Sequence, residues 1–291
     1  MQIVTDRACD LSPAQSAGLD LNYVSLRYTL DDQTYSSEEL PPDAFYELLV
    51  KSSGFPITSQ PSAGEFADLY RRLAQKDPEI LSIHISSGLS GTMNAAQAGA
   101  VMVPEARVTF WDTRTLSCPE GWQVEAAARA LMAGWSLSRI RAFLEKVSQS
   151  CEGIYTLNTL KYLIHGGRIS HLKGLLASVL QIRPIIAVDK EHGKYYAHAQ
   201  ERTERRAIHK IVDIVARKYP EGSPLRVQLL HGKHPDGLEI LREAITGRFE
   251  CHWTPTVAVA PVLGAHTGPS LVGLCAGPAD LFREVPGIVM D

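Results

Sequence analysis

The sequence predicts an α/β protein built on a largely parallel sheet. Short apolar runs alternate with amphipathic stretches of helical period along most of the 291 residues, the pattern that βαβ units leave. Hydrophobic residues make up 45% of the chain, enough to fill one large domain or two that share an interface. No internal repeat or low-complexity segment interrupts the pattern.

Apolar runs at 2–4, 80–85, 107–111, 153–155, 185–188, 227–230 and 257–260 predict the strands. Between them, 63–76, 124–133, 137–150, 203–218 and 237–246 carry apolar residues at helical spacing and predict helices. The segment 22–36 departs from this scheme: it alternates about a central Asp31-Asp32 and predicts a small hairpin insertion. The longest helical tract of the first half ends near 149–153, which sets the boundary between an N-terminal domain, 1–150, and a C-terminal domain, 151–291. In such folds a ligand sits at a switch point between strands or in the cleft between halves.

Two hydroxyl-rich turns are the strongest local signal. Thr58-Ser59-Gln60-Pro61-Ser62 and Ser86-Ser87-Gly88-Leu89-Ser90-Gly91-Thr92 each precede a run that reads as a helix. A helix start has unpaired backbone N–H groups and a partial positive charge, so two such starts facing one point would bind a carboxylate or phosphate. The bland alternative at each is an ordinary Ser/Thr cap. Gly91, between the hydroxyls of Ser90 and Thr92, lets a ligand approach the backbone closely.

The remaining composition excludes more than it assigns. With 29 basic and 32 acidic residues, and one basic cluster at Arg202-Thr203-Glu204-Arg205-Arg206, the chain gives no field that predicts nucleic acid binding. Five cysteines at 9, 118, 151, 251 and 275 form neither a metal spacing nor a disulfide framework, and with no targeting segment or membrane-span signal they predict a cytoplasmic protein. There is no Walker A pattern and no Gly-x-Gly-x-x-Gly after a strand. The turn at Ser90 puts Thr92 where the second Gly of a hydrolase nucleophile elbow belongs. His84, His165, His171, His209 and His231 lie in or beside apolar runs and read as structural. His266 lies in Gly264-Ala265-His266-Thr267-Gly268-Pro269, which reads as a loop rather than core and makes it a site candidate. Gly166-Gly167-Arg168 reads as a tight turn presenting a cation, or as a helix end whose Arg binds carbonyls.

Thr5-Asp6 with Asp10-Leu11, Thr58 to Ser62, Ser86 to Thr92, Leu160-Lys161-Tyr162-Leu163 with Gly166-Gly167-Arg168-Ile169, Pro184-Ile185-Ile186, and His266-Thr267-Gly268-Pro269 resemble the DegV family nearly end to end. The resemblance implies a two-domain DegV-like α/β fold, with a parallel sheet in the N-terminal domain and a smaller α/β C-terminal domain, enclosing a lipid tunnel. It implies a non-catalytic subunit that binds a long-chain fatty acid without cofactor or metal and presents it to a separate, ATP-dependent fatty acid kinase catalytic subunit, which makes the acyl phosphate. By the family pattern Thr58 and Ser90 hold the carboxylate, with His266 near the head group. Ser59, Gly91, Thr92 and Arg168 are expected to support the head group or its loop, and Arg202 to contact the kinase partner. A transient membrane-surface contact is compatible with that role. The chain departs from the pattern at Arg7, where Ser is usual, at Arg183 for Lys, and at Ser270 for Gly; Arg7 would change the charge near the ligand entrance. The alternatives are an acyl hydrolase or a phosphotransferase of the dihydroxyacetone kinase type using Ser90 and His266, and a binder of another amphipathic carboxylate.

Overall fold

In the computed structural model, which describes residues 1–169, 172 and 182–291, the first half runs β1 (Gln2–Asp6), α1 (Pro13–Ser16), β2 (Leu21–Val24), β3 (Arg27–Leu30), β4 (Gln33–Ser36), α2 (Pro42–Lys51) and β5 (Ile57–Ser59). It continues through α3 (Ala63–Ala74), β6 (Glu79–His84), α4 (Thr92–Val101), β7 (Arg107–Asp112), α5 (Ser117–Met132) and α6 (Leu137–Ser150). Four strands form a sheet of order β2-β1-β6-β7 in which all neighbours are parallel. The hairpin is narrower than 22–36: β3 pairs antiparallel with β4, while β2 joins the parallel sheet beside β1. Asp31 and Asp32 sit at φ 49° and 61°, the left-handed conformation a two-residue hairpin turn requires and Asp tolerates. On its other side β3 pairs with β5.

The second half holds β8 (Glu152–Thr156), α7 (Lys161–His165), β9 (Arg183–Val188), β10 (Tyr195–Glu201), α8 (Glu204–Lys218) and β11 (Pro224–His231). After them come α9 (Pro235–Thr246), β12 (Glu250–Ala258), α10 (Pro261–Thr267), β13 (Val272–Pro278) and α11 (Ala279–Arg283). Its sheet, ordered β10-β9-β8-β13-β11-β12, is mixed rather than largely parallel, since only β11 and β12 run parallel. The short 189–194 connection from β9 to β10 cannot supply the long crossover a parallel pair needs.

Alternate residues of each strand feed different cores, as the pleat dictates. Val4 and Ile80 pack with Phe66 and Tyr70 of α3, while Ile3, Leu81 and Ile83 turn toward α5. In the second sheet Ile154, Ile185, Val227 and Leu274 pack with α8 and α9, while Tyr155, Ile186 and Cys275 share a core with α5 and α6. The pair α5–α6 therefore lies between the two sheets. Thirteen of the sixteen residues of α5 are buried, polar ones included, and buried polar groups need partners. Glu125 accepts from Arg226 of β11 at 2.5 Å and from Gln15 at 3.0 Å, and Trp122 donates to Gln228 at 2.6 Å. All five cysteines are free thiols, four of them buried. Among the described residues no helix is long and apolar enough to cross a membrane.

Candidate functional site

His266 is not on a loop. It is the sixth residue of α10, a helix with Pro261 at its start, all seven of its residues buried, and Gly268 at φ 76° as its stop. The Gly and Pro content that suggests a turn marks the two ends of a short helix instead. Its Nε2 lies 2.8 Å from Thr58 Oγ1. Burial, reinforced by the nearby Arg168 guanidinium, lowers the His266 pKa from 6.5 to about 4, so the ring is neutral at pH 7. A neutral imidazole offers one N–H and one lone pair to its surroundings, not a cation.

Thr58 opens no helix, contrary to the expectation for its turn. It lies in β5, paired opposite Tyr28, and α3 is capped four residues later by Ser62, whose side chain forms a reciprocal box with Glu65. Because Ser62 takes the capping role, the Thr58 hydroxyl is left for His266. The two hydroxyl-rich turns come from different sheets: one lies at an edge of the small antiparallel sheet, the other follows β6 of the parallel sheet.

The second turn does open a helix. Thr92 begins α4, its backbone N–H donates to Ser90 Oγ at 3.3 Å, and its own Oγ1 lies 2.8 Å from that oxygen. Gly91 has φ −79°, so its role is space rather than backbone freedom. A Cβ there would lie 2.0 Å from Gln60 Oε1, which shows how closely the strand end after Thr58 approaches the start of α4. Ser90 and Gly91 line a cavity of about 290 Å³ together with Ser87, Gly88, Gly167 and Arg168. Arg168 donates to Gly166 O at 2.7 Å, as the helix-end reading expects. Gly166 in turn touches the His266 ring so closely that a Cβ would fall 2.0 Å from Nδ1. Two contacts thus link the Thr58–His266 pair to the Ser90–Arg168 cavity, one through Gln60 and one through Gly166.

Other expected residues sit as follows. Thr92 is buried against Ser90, and Ser59 is exposed at the end of β5. Arg202 is exposed immediately before Thr203, the cap of α8, and takes part in none of these contacts. His84 is wholly buried, His165 is exposed and stacked on Phe55, His209 is exposed and His231 is partly buried, so the structural reading fits His84 best. His171 lies outside the described residues.

Sequence reasoning missed Ser86. Its buried hydroxyl donates to Gly193 O at 2.7 Å and accepts from Gly88 N at 3.1 Å, pinning the Ser87–Gly91 turn against the β9–β10 connection. An apolar cavity of about 30 Å³ lies where Leu116 and Pro119 at the start of α5 meet Ile154, Leu230 and Leu263. His84 stands between Asp6, 3.0 Å from Nδ1, and Ser82, 2.7 Å from Nε2, in the order of a hydrolytic triad. All three are fully buried and Ser82 also bonds the Tyr70 hydroxyl, so no substrate reaches that serine. Among the described residues no hydrogen bond joins Ser90 to a histidine, and no group of His, Cys, Asp and Glu is arranged to hold a metal.

Residues 1–279 match the model of a family described as uncharacterised proteins of the DegV family. The chain belongs to the DegV family. A DegV domain-containing protein of Deinococcus radiodurans is 34% identical over 276 residues, 95% of each chain. Among solved structures, a DegV family protein from Thermus thermophilus described for its fatty acid binding superposes with a TM-score of 0.86 at 29% identity, covering 95% of this chain and 99% of that one. DegV from Bacillus subtilis, described as a fatty acid binding protein, gives 0.85 at 26% identity over 95% and 98% of the two chains.

Proposed function

We propose that this DegV protein binds a long-chain fatty acid and presents its carboxylate to a separate, ATP-dependent kinase subunit for acyl phosphate formation. The observation that carries the reading is the linked pair Thr58–His266 and cavity Ser90–Arg168, in a chain that aligns over 95% of its length with a fatty acid binding relative. Thr58, Ser90 and His266 hold the carboxylate with hydroxyl and imidazole hydrogen bonds. Arg168 supplies the compensating positive charge, and Ser59, Gly91 and Thr92 shape the turns around it.

The tail provides the affinity. About fifteen methylenes at ~0.8 kcal/mol each give ~12 kcal/mol before the costs of association, against about 1.5–3 kcal/mol for each charge-assisted hydrogen bond at the head group. The apolar cavity at the start of α5, about 30 Å³, would have to widen many-fold to take that tail. In this reading 1–150 and 151–291 act as two domains sharing a core, the protein works in the cytoplasm without a chemical step of its own, and Arg202 faces the kinase. Arg202 is exposed at the head of α8, and its neighbour Arg206 already pairs with Glu201, 3.2 Å away.

Denaturing mass spectrometry of lipid extracted from the purified protein tests the ligand: one acyl chain per protein is expected, and none would overturn the reading. Acyl phosphate formation with the matched kinase subunit tests the partner. Arg202→Ala should slow it while leaving bound lipid unchanged, and loss of lipid instead would place Arg202 at the tunnel.

A further inference from the structure

A second cleft, of about 410 Å³, opens at the other end of α10 from His266. Its wall comes from the loop after β1, from Tyr23 of β2, and from the end of β12 and start of α10. The lining combines apolar residues, among them Leu11, Pro13, Val257 and Pro261, with Ser12, Ser37 and Thr256, and among the described residues its one cation is Arg7. The Arg7 guanidinium carbon lies over the Tyr23 ring, 3.8 Å from the centroid, and its Nε–H is buried without an acceptor. Among the described residues no ion pair involves Arg7. The acid that lines the same cleft, Asp10, spends its oxygens elsewhere, accepting from Ala260 N at 2.8 Å and from the Ser117 hydroxyl.

We propose that this cleft is a second ligand site, for a small organic oxyanion whose carboxylate or phosphate meets Arg7 and whose apolar body lies against Leu11, Pro13, Val257 and Pro261. The contact with Tyr23 restricts the Arg7 side chain, whose guanidinium fork suits a planar or tetrahedral oxyanion. The volume falls in the range of small-molecule sites, and the lining offers both apolar surface and polar groups. The site stands apart from the head-group cavity, and its assignment does not depend on the fatty acid reading.

Calorimetric titration of the full-length protein, as purified with whatever lipid it carries, tests the assignment, using benzoate and phenyl phosphate as probes and inorganic phosphate as the bare ion. One saturable equivalent of benzoate or phenyl phosphate is expected, with inorganic phosphate weaker; the tighter of the two assigns carboxylate or phosphate. Arg7→Ala should weaken binding by about ten- to a hundredfold, and Arg7→Lys, which keeps the charge and loses the fork, by less. Lipid content should be the same in all three proteins. No saturable binding, equal binding of the bare ion, binding unchanged in Arg7→Ala, or displacement of the probe by added fatty acid would each overturn the proposal.

Discussion

Replacing Gly166 by Ala tests the physical link between the Arg168 turn and His266. The backbone tolerates the change, since Gly166 has φ −70° at the end of α7. The space does not: the new Cβ would lie 2.0 Å from His266 Nδ1 and 2.7 Å from Cε1, where ordinary contact begins near 3.4 Å. The ring must move by the difference, 3.4 − 2.0, or about 1.4 Å. It sits in a helix whose residues are all buried, and a shift of that size breaks the 2.8 Å bond to Thr58. Overpacking costs about 1–3 kcal/mol and the lost hydrogen bond about 0.5–1.5, while the stiffer unfolded chain returns about 0.4–1. The expected net loss is about 1–4 kcal/mol, read from urea denaturation at pH 7, together with loss of co-purifying acyl chain. In a His266→Ala background the obstructing ring is absent, so the same substitution should be close to neutral. Equal destabilisation in both backgrounds, or none in either, would refute the mechanism.

Three further outcomes are expected. His266 has a folded pKa of about 4 against 6.5 in the unfolded chain, so its contribution is whole above pH 6.5 and drains away as the pH falls toward 4, by up to about 3 kcal/mol. Urea midpoints measured between pH 7.5 and 4 should therefore fall less steeply in His266→Gln, and parallel curves would contradict the burial argument. Arg226→Met leaves the fully buried Glu125 with only its longer ion pair to Arg129, 3.5 Å away, and should cost up to about 3–5 kcal/mol in thermal or chemical unfolding, with Arg226→Met/Glu125→Leu recovering most of it. Gly193→Ala places a side chain at φ 65° with its Cβ 2.0 Å from Ser86 Oγ, which should loosen the Ser87–Gly91 turn and deplete bound lipid while circular dichroism stays unchanged; full lipid content would count against it.

What could be read from the chain follows from how each element earns its stability. Strands β1, β6 and β7 are central or apolar enough to leave runs in the sequence, and α6 shows its buried stripe of Ile140, Phe143, Leu144 and Val147 at helical spacing. β10 is an edge strand made of Tyr, Ala, His, Gln and Glu and leaves no apolar run, while the apolar run of β13 is interrupted by Gly273 and Gly277; both pair through the backbone. α10 was hidden because its Pro and Gly speak of turns, and it is tertiary burial, not propensity, that makes it helical. The site shows the same division. Hydroxyls and the His266 motif are visible in a sequence. The close approaches that bring them together, Gln60 to Gly91 and Gly166 to His266, depend on contacts between segments far apart in the chain.

The helix α5 gives the fold its mechanical character. Its apolar side chains share one core with both sheets, and its Glu125 pairs with Arg226 from the opposite half of the chain as well as with Arg129 of its own helix. Neither half, produced alone, would keep Arg226 and Glu125 together or cover Trp122, so the sheets should melt in a single transition rather than one after the other. The same shared helix forbids opening the molecule like a book, because parting the sheets would strand buried ions in solvent-poor surroundings. Any passage for a guest into the interior has to be cleared by segments at the rim, such as the β9–β10 connection that clips onto Ser86, whose release breaks a few hydrogen bonds instead of a core.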